Sequence, residues 1–271
     1  MKKTGTFRFV TVSFGLLFVV AALVGCGKPQ ENPSTNLKNE LTIDLGNGLS
    51  MEFVLIQPGT FLMGTTKSDG ASAGAKPQHK VTISKPFYLG KYMVTQEQWQ
   101  SLMGNNPSPH KEAKCPVEVI WNDCQRFLAK LKEKAPGMNF CLPTEAQWEY
   151  ACRAGSTGDY CYGDGIANLG EYAWYIDNSG LKPHPVGLKK PNAWGLYDMH
   201  GNVLEWCADW FGEDYYAHSP SKDPQGPSSG KSKITRGGSC RLIPAFVRSS
   251  FRLYGLPSDG CGLRVCIVDL Q

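Results

Sequence analysis

Two apolar runs flank Pro58-Gly59 in "MEFVLIQPGTFLMG", a pattern that predicts a β-hairpin. The following "HKVTISKPFYLGKYMVT" reads as further strand. Two helix starts come next: Thr95 with Gln98, and Thr144 with Gln147, both fit the capping box, in which a side-chain oxygen takes up an otherwise free backbone N–H. The first predicts a short helix through Met103 and the second a helix through Ala154. Between them, "WNDCQRFLAKLKEKAPG" places Phe127, Leu128 and Leu131 on one face with charges opposite and a Pro-Gly stop, an amphipathic helix. Beyond Gly155 periodicity fades into a long stretch rich in Gly, Pro, Asn and aromatics, the composition of side-chain-locked functional loops. Strand patterning returns in "SKITRGGS" and "GLRVCIVDL". The sum is an α+β domain with much irregular structure.

The first residues are patterned differently. Lys2, Lys3 and Arg8 precede an apolar run from Phe9 to Leu23, and small residues lead to Cys26. That is the layout of a secretory signal, and the apolar run is shorter than the about 20 residues a membrane span needs. The tetrad Leu23-Val24-Gly25-Cys26 resembles a bacterial lipobox, which implies lipidation (palmitate included) at Cys26 and a tethered, exported protein at the outer membrane or cell surface. An uncleaved anchor or an ordinary signal with a chance cysteine is the other reading. The expected division is a signal over residues 1–25, a lipidated flexible tether over 26–48, polar and poor in large apolar groups, and a domain over 49–271.

Charge excludes one class of partner. The net charge of +4 falls to near +1 once Lys2, Lys3 and Arg8 leave with the signal, so no nucleic-acid partner is expected. Of the ten cysteines, lipidation of Cys26 leaves an odd set at irregular spacing, with no C-x-x-C pair. Several buried free thiols and at most one or two bridges are expected. The five histidines form no HExxH or two-His-one-carboxylate spacing, and G-x-S-x-G is absent.

Six blocks then carry a resemblance: "GTFLMG", "VTQEQWQSLMG", "CPVEVIWNDCQRFLAKL", "LPTEAQWEYACRAG", "PVGLKKPNAWGLYDMHGNVLEWCADW" and "RGGS…RSSFR…GLRV". In this order they resemble the formylglycine-generating-enzyme, or sulfatase-modifying-factor, family, from about Met51 to Val268. The resemblance implies a variant of the C-type lectin fold. It also implies where an oxidising enzyme of the family would carry its two thiols, and those places hold Leu242 and Val247. Neither side chain forms a thiolate, so sulfatase-type chemistry lacks its parts. An exported enzyme of the family with displaced chemistry, Cys240 serving as the thiol, is the alternative.

One composition gap bears on function. Lys, Glu, Gln, Met and Trp make up 56 of the 271 residues, yet none falls between Ser239 and Cys266. Codons of the form NNC encode every amino acid except those five. A branch of the family resembling this chain belongs to diversity-generating retroelements, in which template AAC codons are miscopied to NNC. On that reading, region 237–265 is variable and the writable, ligand-binding positions are Cys240, Arg241, Leu242, Ile243, Phe246, Phe251, Leu253, Tyr254, Gly255, Leu256, Asp259, Gly260 and Cys261. The frame between them is "RGGS", Arg248 to Ser250, Arg252, a proline and "GLRV", with Arg248 and Arg252 expected in internal hydrogen bonds. A buried strand pair rich in Phe, Leu, Val and Ile is the competing explanation of the gap.

The resemblance further implies a structural calcium site in "YDMHGNVLEW", with ligands at Asp198, the carbonyls of Gly201 and Val203, and Glu205. The same residues also fit a turn that Asp198 and Glu205 brace through backbone N–H groups. No cofactor is required on either reading. The function expected is a non-catalytic, membrane-tethered receptor for a protein or cell-surface ligand.

Overall fold

The computed structural model describes residues 37–70, 74–256 and 258–270, together with Met1. Cys26, the rest of the expected signal and the frame proline Pro257 lie outside the described residues. Chain order is β1 (Glu40–Gly46), β2 (Leu49–Ile56), β3 (Gly59–Met63), β4 (His79–Ile83), β5 (Phe87–Gly90), α1 (Gln96–Met103), α2 (Trp121–Lys134), β6 (Asn139–Cys141) and α3 (Glu145–Arg153). There follow α4 (Leu169–Tyr172), β7 (Ala173–Trp174), β8 (His200–Gly201), β9 (Glu205–Trp210), α5 (Tyr215–His218), β10 (Lys233–Arg236), β11 (Arg252–Gly255) and β12 (Cys266–Val268). The α+β composition agrees with the sequence patterning. Among the described residues, no helix is long and apolar enough to cross a membrane.

A five-stranded sheet ordered β1-β2-β5-β12-β6 forms the centre, antiparallel throughout. Side chains alternate across a strand, so one apolar run feeds two cores. Met51, Phe53, Tyr88 and Ile267 point to the face covered by α1 and α2, where Trp99 stacks on Phe127 at 5.1 Å between centroids. Val54, Ile56, Phe87, Leu89 and Cys266 point to the other face, covered by Trp148, Ala151 and Cys152 of α3. Burial on both faces is why β2 and β5 read as continuous apolar runs rather than alternating ones.

Both capping boxes form. The Thr95 hydroxyl accepts from Gln98 N, and Gln98 Oε1 accepts from Thr95 N at 2.9 Å; Thr144 and Gln147 repeat the pattern on α3. The amphipathic α2 buries Cys124, Phe127, Leu128 and Leu131.

Two expectations are corrected. The runs around Pro58-Gly59 are not a hairpin: β2 is flanked on both edges by β1 and β5, so it has no free edge, and β3 pairs with β4 instead. The tether does not run to residue 48, because Glu40–Gly46 forms the edge strand of the central sheet, paired with Leu49–Val54. Its alternation places Ile43 and Leu45 in the core.

Candidate functional site

The C-terminal segment starts where β10 ends, at Gly237 and Gly238, both with positive φ. A Cβ on Gly238 would lie 2.3 Å from the Phe246 carbonyl oxygen and 2.6 Å from Val247 Cγ1, so the chain can fold back here only with glycine. A 3₁₀ turn, Pro244–Val247, completes the return, and β11 then pairs with β10 as the edge of a three-stranded sheet.

Groups outside the segment hold its backbone. Asn202 O accepts from Cys240 N at 2.8 Å, and Ser179 Oγ donates to Cys240 O. Tyr160 Oη donates to Pro244 O at 3.0 Å, and His200 Nδ1 donates to Val247 O at 2.7 Å. Arg236, fully buried, donates to the carbonyls of Ser249, Ser250 and Phe251 and to Glu149. Arg252 grips Glu145 through two bonds of 2.8 and 2.9 Å and donates to Gly74 O. Arg248 pairs with Asp69 and Asp159. Both frame arginines are thus tied internally, as expected.

The thirteen positions expected to be writable divide by burial. Arg241, Ile243, Tyr254, Leu256, Asp259 and Gly260 are exposed; Leu242, Phe246, Leu253 and Gly255 are half-buried. Cys240, Phe251 and Cys261 are buried, which corrects the expectation of one exposed face at these three. Phe251 turns inward to meet Phe246, with centroids 5.1 Å apart, and Cys261 joins the core beside Val119 and Leu263. The two ends of the segment meet at a cleft of about 170 Å³ lined by Glu118, Asn202, Cys240, Arg241, Gly260 and Cys261. Sequence reasoning missed two neighbours. Leu181, exposed and with positive φ, accepts from Arg241 Nε through its carbonyl, and Ile176, also exposed, donates its N–H to Leu242 O. A large apolar residue inside a Gly- and Pro-rich loop was the available signal for both.

The thiols are not set up as nucleophiles. Burial pushes Cys240 up to about 11, partly offset by Arg241, and pushes Cys261 up to about 12. Cys152 lies 3.9 Å from His200 Nε2, but that nitrogen accepts from Cys161 N at 3.1 Å while Nδ1 donates to Val247, so the imidazole has no free nitrogen to serve as base. Leu242 is half-buried and Val247 sits in the small core with Tyr160 and Leu169. The nine cysteines among the described residues are all free, seven of them buried.

The calcium set fits poorly. Glu205 accepts from Arg264 on both oxygens, at 3.0 and 2.9 Å, and from Trp148 Nε1 at 3.0 Å, which neutralises it. Asp198 accepts from Gly187 N at 2.8 Å and keeps one buried oxygen without a protein partner. Gly201 and Val203 contribute no further charge. The turn is braced, therefore, by Asp198 through a backbone N–H, but by Glu205 through an arginine and an indole rather than through backbone.

Beneath the segment, Asp209 Oδ2 accepts from Glu145 N at 2.8 Å, satisfying the first N–H of α3. Burial, reinforced by the charge of Glu145, pushes the Asp209 carboxyl up to about 7 from the ordinary 3.8. The folded state therefore binds this proton more tightly than the unfolded chain. Its contribution is fully present below about pH 4 and is lost as pH rises through about 7. Asp209→Asn, which keeps the acceptor, is expected to flatten the fall in stability across that window, as read from urea midpoints at a series of pH values.

A family model for the sulfatase-modifying factor enzyme 1-like domain matches residues 46–267. The chain is 30% identical over 275 residues to the chaperone protein LppX of Paenibacillus barcinonensis, covering 82% of this chain and 86% of that one. It is 38% identical over 135 residues to the formylglycine-generating enzyme of Streptomyces coelicolor, which is 45% of this chain and 41% of the enzyme. Among solved structures, Treponema denticola variable protein 1 superposes with a TM-score of 0.77 at 29% identity, over 85% of this chain and 99% of that one. The architecture is thus the formylglycine-generating-enzyme variant of the C-type lectin fold. With four-fifths of its length matched, this chain belongs to the family of sulfatase-modifying factor enzyme 1-like domains.

Proposed function

We propose that this protein is a lipid-tethered, surface-displayed binding protein without catalytic activity, whose region 237–265 is rewritten by a retroelement to change its ligand. One observation carries the reading: frame and writable positions differ in burial, with Cys240, Phe251 and Cys261 as the buried exceptions among the writable ones. The frame residues Gly238, Ser249, Ser250, Arg252 and Arg264 are buried, whereas most of the writable side chains reach solvent. Because the backbone is held from outside the segment, little ordering entropy is lost when a ligand docks. Exposed Arg241 and Tyr254 are residue types that anchor interfaces, and exposed Ile243 and Leu256 add apolar surface around them. The likeness to a variable protein supports the same role. Absence of thiols at Leu242 and Val247, and the raised pKa of the buried cysteines, argue against oxidase chemistry.

The locus tests this. Sequencing around the gene is expected to show a reverse transcriptase and a near-copy of the final stretch that differs from it at adenines. Comparison across cells of one population should place substitutions at the writable codons. Substitutions spread equally over frame codons, or a completed locus with no such copy, would overturn the retroelement reading.

A further inference from the structure

The loop that follows α1 carries a mixed cluster of metal-binding groups that the C-terminal segment does not use. His110, Glu112 and Cys115 each offer one ligand atom, and the three atoms lie within 4.8 Å of one another. Nε2 of His110 is 3.3 Å from a carboxylate oxygen of Glu112. Cys115 is fully buried at the floor of the cluster, whereas the His110 and Glu112 side chains are 36% and 43% exposed at its rim. One sulfur, one imidazole nitrogen and one carboxylate oxygen form a donor set suited to a zinc-class ion.

The backbone beneath these three residues is held by a buried residue of α1. Gln96, 1% exposed, donates through Nε2 to His110 O at 2.8 Å and accepts through Oε1 from Glu112 N at 3.0 Å. Its own N–H donates to Cys115 O at 2.9 Å, and Cys115 N donates to Glu112 O at 2.9 Å. One side-chain amide and two backbone bonds thus fix all three residues relative to each other before any ion arrives. Such supporting bonds are what converts a chance cluster into a site, since ligands held in place lose little freedom on binding.

We propose that His110, Glu112 and Cys115 bind one divalent ion of the zinc class, with a fourth position open to solvent. Three protein ligands leave that position to water or to a donor group from a bound partner. On binding, the Cys115 thiol gives its proton to solvent and the sulfur ligates as thiolate, with no change of oxidation state. The loop that carries the site runs on to the cleft between the two ends of the C-terminal segment: Glu118, which lines that cleft, donates its N–H to Ser108 Oγ at 3.0 Å. Lys182, exposed, acts on both Glu112 and Cys115 and opposes the ion.

The test uses the full chain in detergent, kept reduced, and titrated with cobalt(II) and then zinc(II). The expected result is one cobalt per chain with a thiolate-to-cobalt charge-transfer band, and displacement by zinc. Cys115→Ser should abolish the band. His110→Ala and Glu112→Gln, at positions on the rim that no core packing depends on, should each weaken zinc binding by at least the about 10–100-fold that loss of a supporting group costs. Lys182→Ala should tighten it. Zinc should raise the melting temperature of the parent chain and not that of His110→Ala. Failure to take up either metal in excess would overturn the proposal, as would a band or affinity unchanged in both His110→Ala and Glu112→Gln. Those two variants decide the matter even if Cys115→Ser does not fold.

Discussion

Arg236→Ala is expected to cost the domain about 3–5 kcal/mol, a large share of the about 5–15 kcal/mol that holds a domain folded. Arg236 is fully buried and binds Glu149, itself fully buried, together with three carbonyls of the C-terminal segment. Burial alone would raise the Glu149 carboxyl, but Arg153 and Arg236 outweigh it and hold it below the ordinary range. Removing Arg236 leaves a buried carboxylate with half its compensation and three carbonyls without a donor. Lysine is no substitute, because a single ammonium cannot address the carboxylate and the carbonyls from one plane. The exposed pair Lys130–Glu133 is the control: Lys130→Ala should change stability by about 0.5 kcal/mol or less. Urea unfolding followed by tryptophan fluorescence measures both. A loss below about 1 kcal/mol for Arg236→Ala would show that the network does not hold the segment.

Phe251→Ser is expected to destabilise by about 3–5 kcal/mol, although the position is among those the NNC pattern predicts to be writable. Its ring is 7% exposed and packs on Phe246. By contrast, joint replacement of Arg241, Ile243, Tyr254 and Leu256 by Ser or Asn should leave the domain folded, with each change worth about 0.5 kcal/mol or less. Tyr254 is the strictest of these, because it is 52% exposed yet rests on Phe211 at 4.2 Å between centroids. Thermal melts of the two variants separate the classes. A four-fold variant that fails to fold would show that the exposed positions carry the core, and a stable Phe251→Ser would show that the pocket beneath it collapses without penalty.

Local signals in the sequence located the helices well. The two capping boxes and the spacing of Phe127, Leu128 and Leu131 are short-range patterns, and the structure builds each as a helix. Pairing was harder to read, because an apolar run says that a strand is buried but not which edge it takes. Both β2 and β3 were legible as strands, yet their partners β5 and β4 depend on the sheet as a whole. The same limit applies at the site. Arg252 was legible as a framework residue, but its partner Glu145 lies 107 positions away, and Glu205 looked like an ion ligand because Arg264 is 59 positions distant. Inside the C-terminal segment there is no period to tell Phe251, which turns in, from Leu253 and Tyr254, which do not.

The backbone bonds that hold the C-terminal segment also restrict which residues it can accept. NNC includes proline, and proline has no N–H to give. Cys240, Leu242, Phe246, Asp259 and Cys261 each donate an N–H to a backbone carbonyl, and Leu256 donates to the Asp259 carboxylate. Ile243, at φ −71°, has a backbone that proline can adopt. If the segment is diversified as proposed, the repertoire of folded variants is therefore smaller than the codon table permits. Proline-bearing copies would then be filtered by folding before any ligand is met, and the diversity that survives would concentrate at positions whose amides make no bond.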